Sequence, residues 1–230
     1  MIKYIKITLL CFAFNSICIA QSSLDVSKLK DLEIYLNEEI RNNKAAGIEA
    51  LIYHKGEIVW HEAYGYSSLQ DNLPLEKNSI YYIQSMTKPI MSVAIMQLIE
   101  KGKLRLDDNA SKYYPPLKKL EVIEDINTGI YGPTVDVKYP ITIRQLLTHT
   151  AGLSHGLEEN IFDQQLFKLM YNDLFDPAEY DILEERVEKL MQVPLIGQPG
   201  EQWYYSAAPD ILALILQKIT GQSINEYLRE

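Results

Sequence analysis

A single β-hairpin pattern, followed by helical patterns over most of the remaining length, constrains the fold of this chain more than any other feature. Residues 47–54 and 57–66 each have the character of a strand, and the Lys55-Gly56 pair between them is typical of a tight turn. An isolated antiparallel pair is marginally stable in water, so it needs more strands or a helical cover. The sequence therefore predicts an α+β protein.

Helical periodicity predicts the elements around this hairpin. Residues from about Val26 to Arg41 carry apolar side chains at helical spacing, with charged residues between them. A strongly apolar helix is predicted from Ser85 to Lys101, and Gly102 ends it. Residues 103–140 are rich in proline and are predicted to form loops. Further helices are predicted in residues 142–147, 160–192 with a break at Pro177, 208–220, and from 223 onwards.

The first twenty residues have the layout of a cleavable secretory signal. Two lysines precede an apolar run, residues 7–20, which is too short to span a membrane. Both cysteines of the chain lie in this run, so the mature protein would have no disulfide. We expect export to the periplasm or the extracellular space, with residues 1–20 removed and residues 21–230 forming one domain. A short uncleaved membrane anchor is the alternative.

The charge balance argues against two classes of partner. The chain has 22 Lys and Arg against 31 Asp and Glu, a net charge of −9, whereas nucleic-acid-binding proteins carry basic patches. The sequence also has no polybasic stretch that would hold it on anionic lipid. We therefore expect no nucleic-acid partner and no stable membrane insertion after signal cleavage. The sequence leaves the oligomeric state open.

The histidines do not have the spacing of a metal site. His54, His61, His149 and His155 include no H-E-x-x-H motif and no helical pair four residues apart. A metal site would therefore have to be formed by residues that are distant from one another in the sequence. The glycine-rich motifs of nucleotide binding are also missing from the sequence. We expect no cofactor, a structural role for His149, and positions on the hairpin surface for His54 and His61.

Three serines match motifs of serine hydrolases. Ser85 and Lys88 form an S-x-x-K pair, in which a neutral lysine one helical turn away can take the serine proton. Ser27 begins a second S-x-x-K on a charge-rich helix, where its lysine would be solvated. Ser154 matches G-x-S-x-G, but a helix is predicted before it and no histidine follows His155. Ser85 is preferred, because its apolar helix would shield the lysine and its helix N-terminus would favour an oxyanion.

These segments, in this order, resemble the serine β-lactamase-related family, which includes class C β-lactamases, D-alanyl-D-alanine carboxypeptidases and related esterases. The resemblance covers about residues 25–230. It implies the β-lactamase/transpeptidase-like fold, an antiparallel sheet flanked by helices plus an all-helical subdomain. Four segments carry it: EALIYHKGEIVWHEAYGYSS, IYYIQSMTKPIMSVAIMQLIEKGKLRLDD, ITIRQLLTHTAGL and PGEQWYYSAAPDILALILQKITGQSINEYL.

The resemblance also implies an acyl-enzyme mechanism acting on an ester, a D-Ala peptide or a β-lactam. Ser85 would be the acylated nucleophile, and its backbone N–H would be one oxyanion donor. Lys88 would be the general base, and Tyr205 would shuttle the proton to and from the leaving group. Tyr205 is preferred over Tyr204 because an aromatic residue two positions earlier, Trp203, matches the family spacing.

The sequence departs from the family at two points. Ala207 stands where the family often has Asn, which favours an esterase or a peptidase over a β-lactamase. The third family motif, a Lys-Thr-Gly or His-x-Gly type strand, is absent after Tyr205. We therefore expect a domain that is incomplete at its C-terminus, with weak turnover or none. The alternatives are a non-catalytic relative that binds cell-wall peptide, an inactive fragment, and a metal-dependent exported hydrolase.

Overall fold

The computed structural model describes residues 25–171 and 182–229. The expected signal, residues 1–20, and the expected helix break at Pro177 lie outside the described residues. The chain divides into two compact units, with the boundary between Tyr82 and Ile83. Within the described ranges, no helix combines the length and the hydropathy that crossing a bilayer requires.

The first unit is a small antiparallel sheet with one helix. The predicted hairpin is confirmed: β1 pairs with β2 from Gly47 opposite Gly65 to His54 opposite Glu57. The helix α1 contacts both strands of the hairpin, and the short β3 pairs with β2. The elements of this unit are a 3-10 turn (Val26–Lys28), α1 (Leu29–Arg41), β1 (Gly47–His54), β2 (Glu57–Ser68) and β3 (Leu73–Pro74).

The histidines of the hairpin are less exposed than the sequence predicts. His61 Nε2 lies 2.6 Å from Glu49 Oε1, and both side chains are partly buried. The strand register explains the pair, because Leu51 is directly opposite His61 and Glu49 is its diagonal neighbour on the same face. His54 is also partly buried. Both histidines therefore lie on the hairpin with partly exposed side chains, and His61 is paired with a carboxylate.

The second unit is mostly helical, as predicted. It also contains a two-stranded ribbon within residues 103–140, which the sequence predicts to be loop. Three-residue strands are too short to show a period of two, so only their pairing reveals them. The main elements are α2 (Thr87–Glu100), β4 (Glu121–Ile123), β5 (Thr134–Asp136), α3 (Ile143–Leu147), α4 (Ile161–Met170), α5 (Leu183–Leu190), α6 (Ala208–Thr220) and α7 (Ile224–Tyr227).

Helix α6 forms the centre of the second unit. It contacts α2, α3, α5 and α7. A helix that is apolar on most of its circumference is expected to be enclosed in this way. A second apolar cluster joins α4 and α5 to the β4 region. The buried residues of α6 are Ala208, Ile211, Leu212, Ala213, Leu214, Ile215 and Leu216.

Caps and turns define the ends of the helices near the site. Thr142 caps α3 with a capping box that includes Gln145, as its place before the helix predicts. Helix α6 ends at Gly221, whose φ of 72° is left-handed, and its N–H donates to Gln217 O. Gly152, in the loop after α3, also has a left-handed φ of 79°. A Cβ at Gly152 would lie 2.0 Å from Gly197 O, whereas a Cβ at Gly221 would meet nothing within 4 Å.

These two glycines form a matched test of the loop that follows α3. We expect Gly221→Ala to lower the free energy of unfolding by about 1–2 kcal/mol, the cost of a left-handed alanine. Gly152→Ala carries the same cost plus ~1–3 kcal/mol for the collision with Gly197. Urea unfolding followed by circular dichroism measures both variants. Equal losses of stability would show that the loop does not pack as described.

Candidate active site

Ser85 and Lys88 are brought together at the beginning of α2. Ser85 lies in a 3-10 turn, Gln84–Met86, and Lys88 lies in the first turn of the helix. Lys88 Nζ donates a hydrogen bond to Ser85 Oγ over 3.1 Å. Gln84 has a φ of 49°, which is unusual for a residue with a side chain. Backbone strain of this kind clusters at functional sites.

The two side chains differ in their access to solvent. Ser85 is exposed, and Lys88 is partly buried. Helix α2 buries one face, formed by Met91, Ala94, Ile95 and Leu98, and leaves the serine at its open end. The helix therefore shields the lysine while an incoming molecule can reach the serine.

Tyr205 is the third member of the cluster. Lys88 Nζ lies 4.6 Å from the centre of the Tyr205 ring. Burial raises the pKa of Tyr205, but hydrogen bonds with Lys88 and Ser85, together with the Lys88 charge, outweigh burial and lower this pKa overall. The groups beside Tyr205 therefore stabilise its ionised form.

The neighbouring Tyr204 faces a different environment. Its ring packs on Gly197, where an added Cβ would lie 2.5 Å from the Tyr204 hydroxyl oxygen. That hydroxyl donates to Gln202 Oε1 over 3.2 Å. Burial raises the pKa of Tyr204, and the nearby Glu201 carboxylate adds to the effect. Of the two adjacent tyrosines, the structure places Tyr205 with Ser85 and Lys88.

Hydrogen bonds hold the tyrosine segment to the loop after α3. The Tyr204 N–H donates to His149 O over 2.8 Å, and the Ala207 N–H reaches Ser154 O over 3.4 Å. The His149 side chain adds a bond of 2.9 Å between Nδ1 and Ser206 Oγ. His149 has a φ of 56°, a second strained residue in the site. These contacts hold Tyr205 beside Lys88, at the N-terminal end of α2.

Two histidines flank Tyr205, a feature that the sequence reasoning missed. The ring centres of His149 and His155 lie 5.0 Å and 4.8 Å from the ring centre of Tyr205. Burial lowers the pKa of both imidazoles, and the Lys88 charge lowers both further. For His155, the carboxylates of Asp163 and Glu158 oppose this shift without reversing it. Both rings are therefore harder to protonate than a histidine in its ordinary surroundings.

The sequence signal for the two histidines beside Tyr205 lies in and after the segment ITIRQLLTHTAGL. This segment contains His149, and His155 follows shortly after it. The structural role expected for His149 agrees with its bond to Ser206. Its contact with the Tyr205 ring depends on packing between distant segments, which motif spacing does not report.

The other serine candidates lie in different surroundings. Ser154 is buried, and its hydroxyl donates to the carboxylate of Asp163, which is 1% exposed. The Gly156 N–H donates to Ser154 Oγ over 3.2 Å, so this hydroxyl ties the loop to α4. Ser27 belongs to the first unit and donates to Asp25 over 2.5 Å. Across the part of the chain that the structure describes, no three His, Asp or Glu side chains are close enough to share a metal ion.

The fold is that of the serine β-lactamases and penicillin-binding proteins. The chain superposes on EstCE1, described as a hydrolase with promiscuous acyltransferase activity, with a TM-score of 0.72, 25% identity, and coverage of 88% of this chain and 50% of that one. A penicillin-binding protein homologue from Pyrococcus abyssi matches with a TM-score of 0.63, 26% identity, and coverage of 90% and 42%. The family model named Beta-lactamase matches residues 34–230. The chain therefore belongs to the β-lactamase family.

Sequence relatives lie in the same family. Esterase EstB of Burkholderia gladioli is 29% identical over 207 residues, which are 88% of this chain and 48% of that protein. Acyltransferase calJ of Penicillium decumbens is 30% identical over 76% of this chain and 40% of that protein. The chain spans about half the length of the curated relatives that it matches.

The Lys88 charge makes the titration of His149 and His155 a test of the site. We expect both imidazoles to titrate below their ordinary value of 6.5. In Lys88→Met both pKa values should rise, because the cation that opposes protonation is gone, whereas Lys101→Met at the far end of α2 should change neither. NMR titration of the imidazole protons measures this. Unchanged pKa values in Lys88→Met would show that the Lys88 charge does not act on the two histidines.

The same shifts predict the pH dependence of stability. Below pH 6.5 the unfolded chain binds protons that the folded imidazoles do not yet bind. The contribution of the two histidines to the free energy of unfolding is therefore fully present above pH 6.5. It is lost as the pH falls towards the lower pKa values of the folded state.

Proposed function

We propose that this protein is an exported serine hydrolase that forms an acyl-enzyme on Ser85 and acts on carboxylic esters. The observation that carries the proposal is the meeting of Ser85, Lys88 and Tyr205 within one compact unit, with 3.1 Å from Lys88 Nζ to Ser85 Oγ and 4.6 Å from Nζ to the Tyr205 ring. The signal-like layout of residues 1–20 supports export.

Acylation begins with proton removal from Ser85. The deprotonated form of Lys88 accepts the hydroxyl proton as Ser85 Oγ bonds to the carbonyl carbon, and the carbonyl electrons move to its oxygen. Lys88 then carries the charge that lowers the pKa of Tyr205. The bond to the alcohol oxygen then breaks, and Tyr205 donates a proton to that oxygen while Lys88 returns one to Tyr205. The products are the Ser85 ester and a free alcohol. Water then attacks the ester, which yields the acid and restores Ser85.

The site is suited to these proton transfers. The lowered pKa of Tyr205 reduces the cost of its transient ionisation. Ser85 lies in the turn immediately before the 14-residue helix α2, whose N-terminal dipole favours the negative charge on the carbonyl oxygen. The Ser85 backbone N–H as an oxyanion donor stays a prediction.

An ester is the favoured substrate class for two reasons. The family resemblance implies that Ala207, where the family often has Asn, favours an esterase or a peptidase over a β-lactamase. EstB carries the name esterase, and EstCE1 is described as a hydrolase. Acyl transfer to an alcohol is a second candidate, because Ser85 is exposed and calJ is named an acyltransferase. Product analysis with added alcohol separates the two, since transfer yields a new ester and hydrolysis yields an acid.

The two S-x-x-K serines provide a matched test of the nucleophile. We expect a fluorophosphonate probe to add one adduct to the purified protein and to Ser27→Ala, but none to Ser85→Ala. Ser85 has an activating lysine at 3.1 Å, whereas Ser27 donates to a carboxylate. Intact-mass spectrometry counts the adducts. A protein with no adduct would contradict the proposal and favour a non-catalytic relative.

The adjacent tyrosines provide a matched test of the proton shuttle. We expect the parent chain to hydrolyse 4-nitrophenyl acetate weakly, because the third family motif is absent after Tyr205. We expect Tyr205→Phe to slow this hydrolysis by about 10²–10⁴-fold, the usual contribution of a positioned acid or base. Tyr204→Phe removes a hydroxyl that contacts Gln202 and should change the rate little. Spectrophotometric kcat/KM values measure both. Similar losses in the two variants would contradict the role of Tyr205.

A further inference from the structure

Trp203 is a large apolar side chain left open to solvent at the edge of the site. It is 62% exposed, although tryptophan is on average a strongly buried residue. Its ring centre lies 6.1 Å from that of Tyr205, with 30° between the planes. It also lies 6.1 Å from the His149 ring in an edge contact. The indole is therefore held by two neighbours while much of its surface remains uncovered.

The local chain geometry directs Trp203 to the same side as Tyr205. Tyr204, between them, packs against Gly197 and is partly buried. The backbone is fixed at this point, because the Tyr204 N–H donates to His149 O over 2.8 Å. A contact path therefore leads from Ser85 to Tyr205 and from Tyr205 to Trp203.

This path determines which part of a substrate Trp203 can meet. In the proposed function, Tyr205 donates its proton to the oxygen of the leaving alcohol, so that oxygen must lie within hydrogen-bond distance of the Tyr205 hydroxyl. The substituent on that oxygen lies on the Tyr205 side of the reacting carbon, whereas the acyl substituent is attached to the carbon that Ser85 attacks. A held aromatic face binds apolar and aromatic groups with little loss of side-chain freedom.

Resting on the proposed function, we propose that Trp203 binds the alcohol group of the ester and selects substrates whose alcohol is apolar or aromatic. Trp203 is thus a specificity-determining residue, and it takes no part in the proton transfers. The same surface would receive an alcohol acceptor if acyl transfer replaced hydrolysis, since the acceptor takes the place of the leaving alcohol.

The chain has two tryptophans, which permits a direct binding test. Trp60 lies in the first unit, so Trp60→Phe leaves Trp203 as the single indole. Ser85→Ala added to this variant prevents turnover. Two isomeric esters then act as heavy-atom quenchers of fluorescence: 4-bromobenzyl acetate carries the bromoaryl group on its alcohol, and methyl 4-bromophenylacetate carries it on its acyl part.

We expect saturable quenching of Trp203 by 4-bromobenzyl acetate and much weaker quenching by its isomer. Equal quenching by the two esters, or no saturable quenching by either, would overturn the proposal. This readout needs no catalysis. It is therefore separate from a failure of the proposed function, which would appear as no Ser85-dependent turnover in the parent protein.

Kinetics provide the second measurement. We expect Trp203→Ala to lower kcat/KM for benzyl acetate about tenfold more than for methyl phenylacetate, and Trp203→Phe to lie between. Tyr131→Ala is the matched control, because Tyr131 is an 85% exposed aromatic residue of the same unit that belongs to no part of the proposed site. An equal effect of Trp203→Ala on both esters would show that Trp203 does not select the alcohol.

Discussion

The burial of helix α6 is the constraint on which the site depends. Its apolar residues are enclosed on most sides, and its contacts reach α2, which carries Lys88, and α3, which leads to His149. Burying a single Leu or Ile side chain contributes about 1.5–3 kcal/mol, so several such residues hold these helices together. Tyr205 lies just before α6 in the chain. The packing of α6 therefore sets the distance between Tyr205 and the Ser85–Lys88 pair.

Lys88 organises the electrostatics of the site. Its Nζ atom contacts Ser85 Oγ and the Tyr205 ring, and in the charged form Lys88 acts on both neighbouring histidines. The same charge lowers the pKa of the tyrosine and opposes protonation of the imidazoles. In the proposed mechanism, the proton from Ser85 places this charge on Lys88, beside a tyrosine whose pKa is lowered and two imidazoles whose pKa values are lowered. This arrangement favours short proton transfers among three side chains.

The loop after α3 holds the tyrosine segment in place through hydrogen bonds. The Ser154 hydroxyl binds the buried Asp163 carboxylate, and the Ser154 carbonyl accepts from Ala207. A motif that resembles a nucleophile turn therefore acts as a structural link between α4 and the tyrosine segment. Because the same loop carries His155, the link also places this ring against Tyr205.

By itself, the sequence determined the features that depend on neighbouring residues: the hairpin around Lys55-Gly56, the cap at Thr142, the end of α6 at Gly221, and the S-x-x-K pair at one helical turn. Local spacing and backbone preference suffice for these, because the interacting groups are close in the chain. Tertiary structure alone decided the pairing of β4 with β5, the contact of His61 with Glu49, and the meeting of Lys88, His149, His155 and Tyr205. Such contacts join distant segments, and their geometry is set by how buried helices and strands pack.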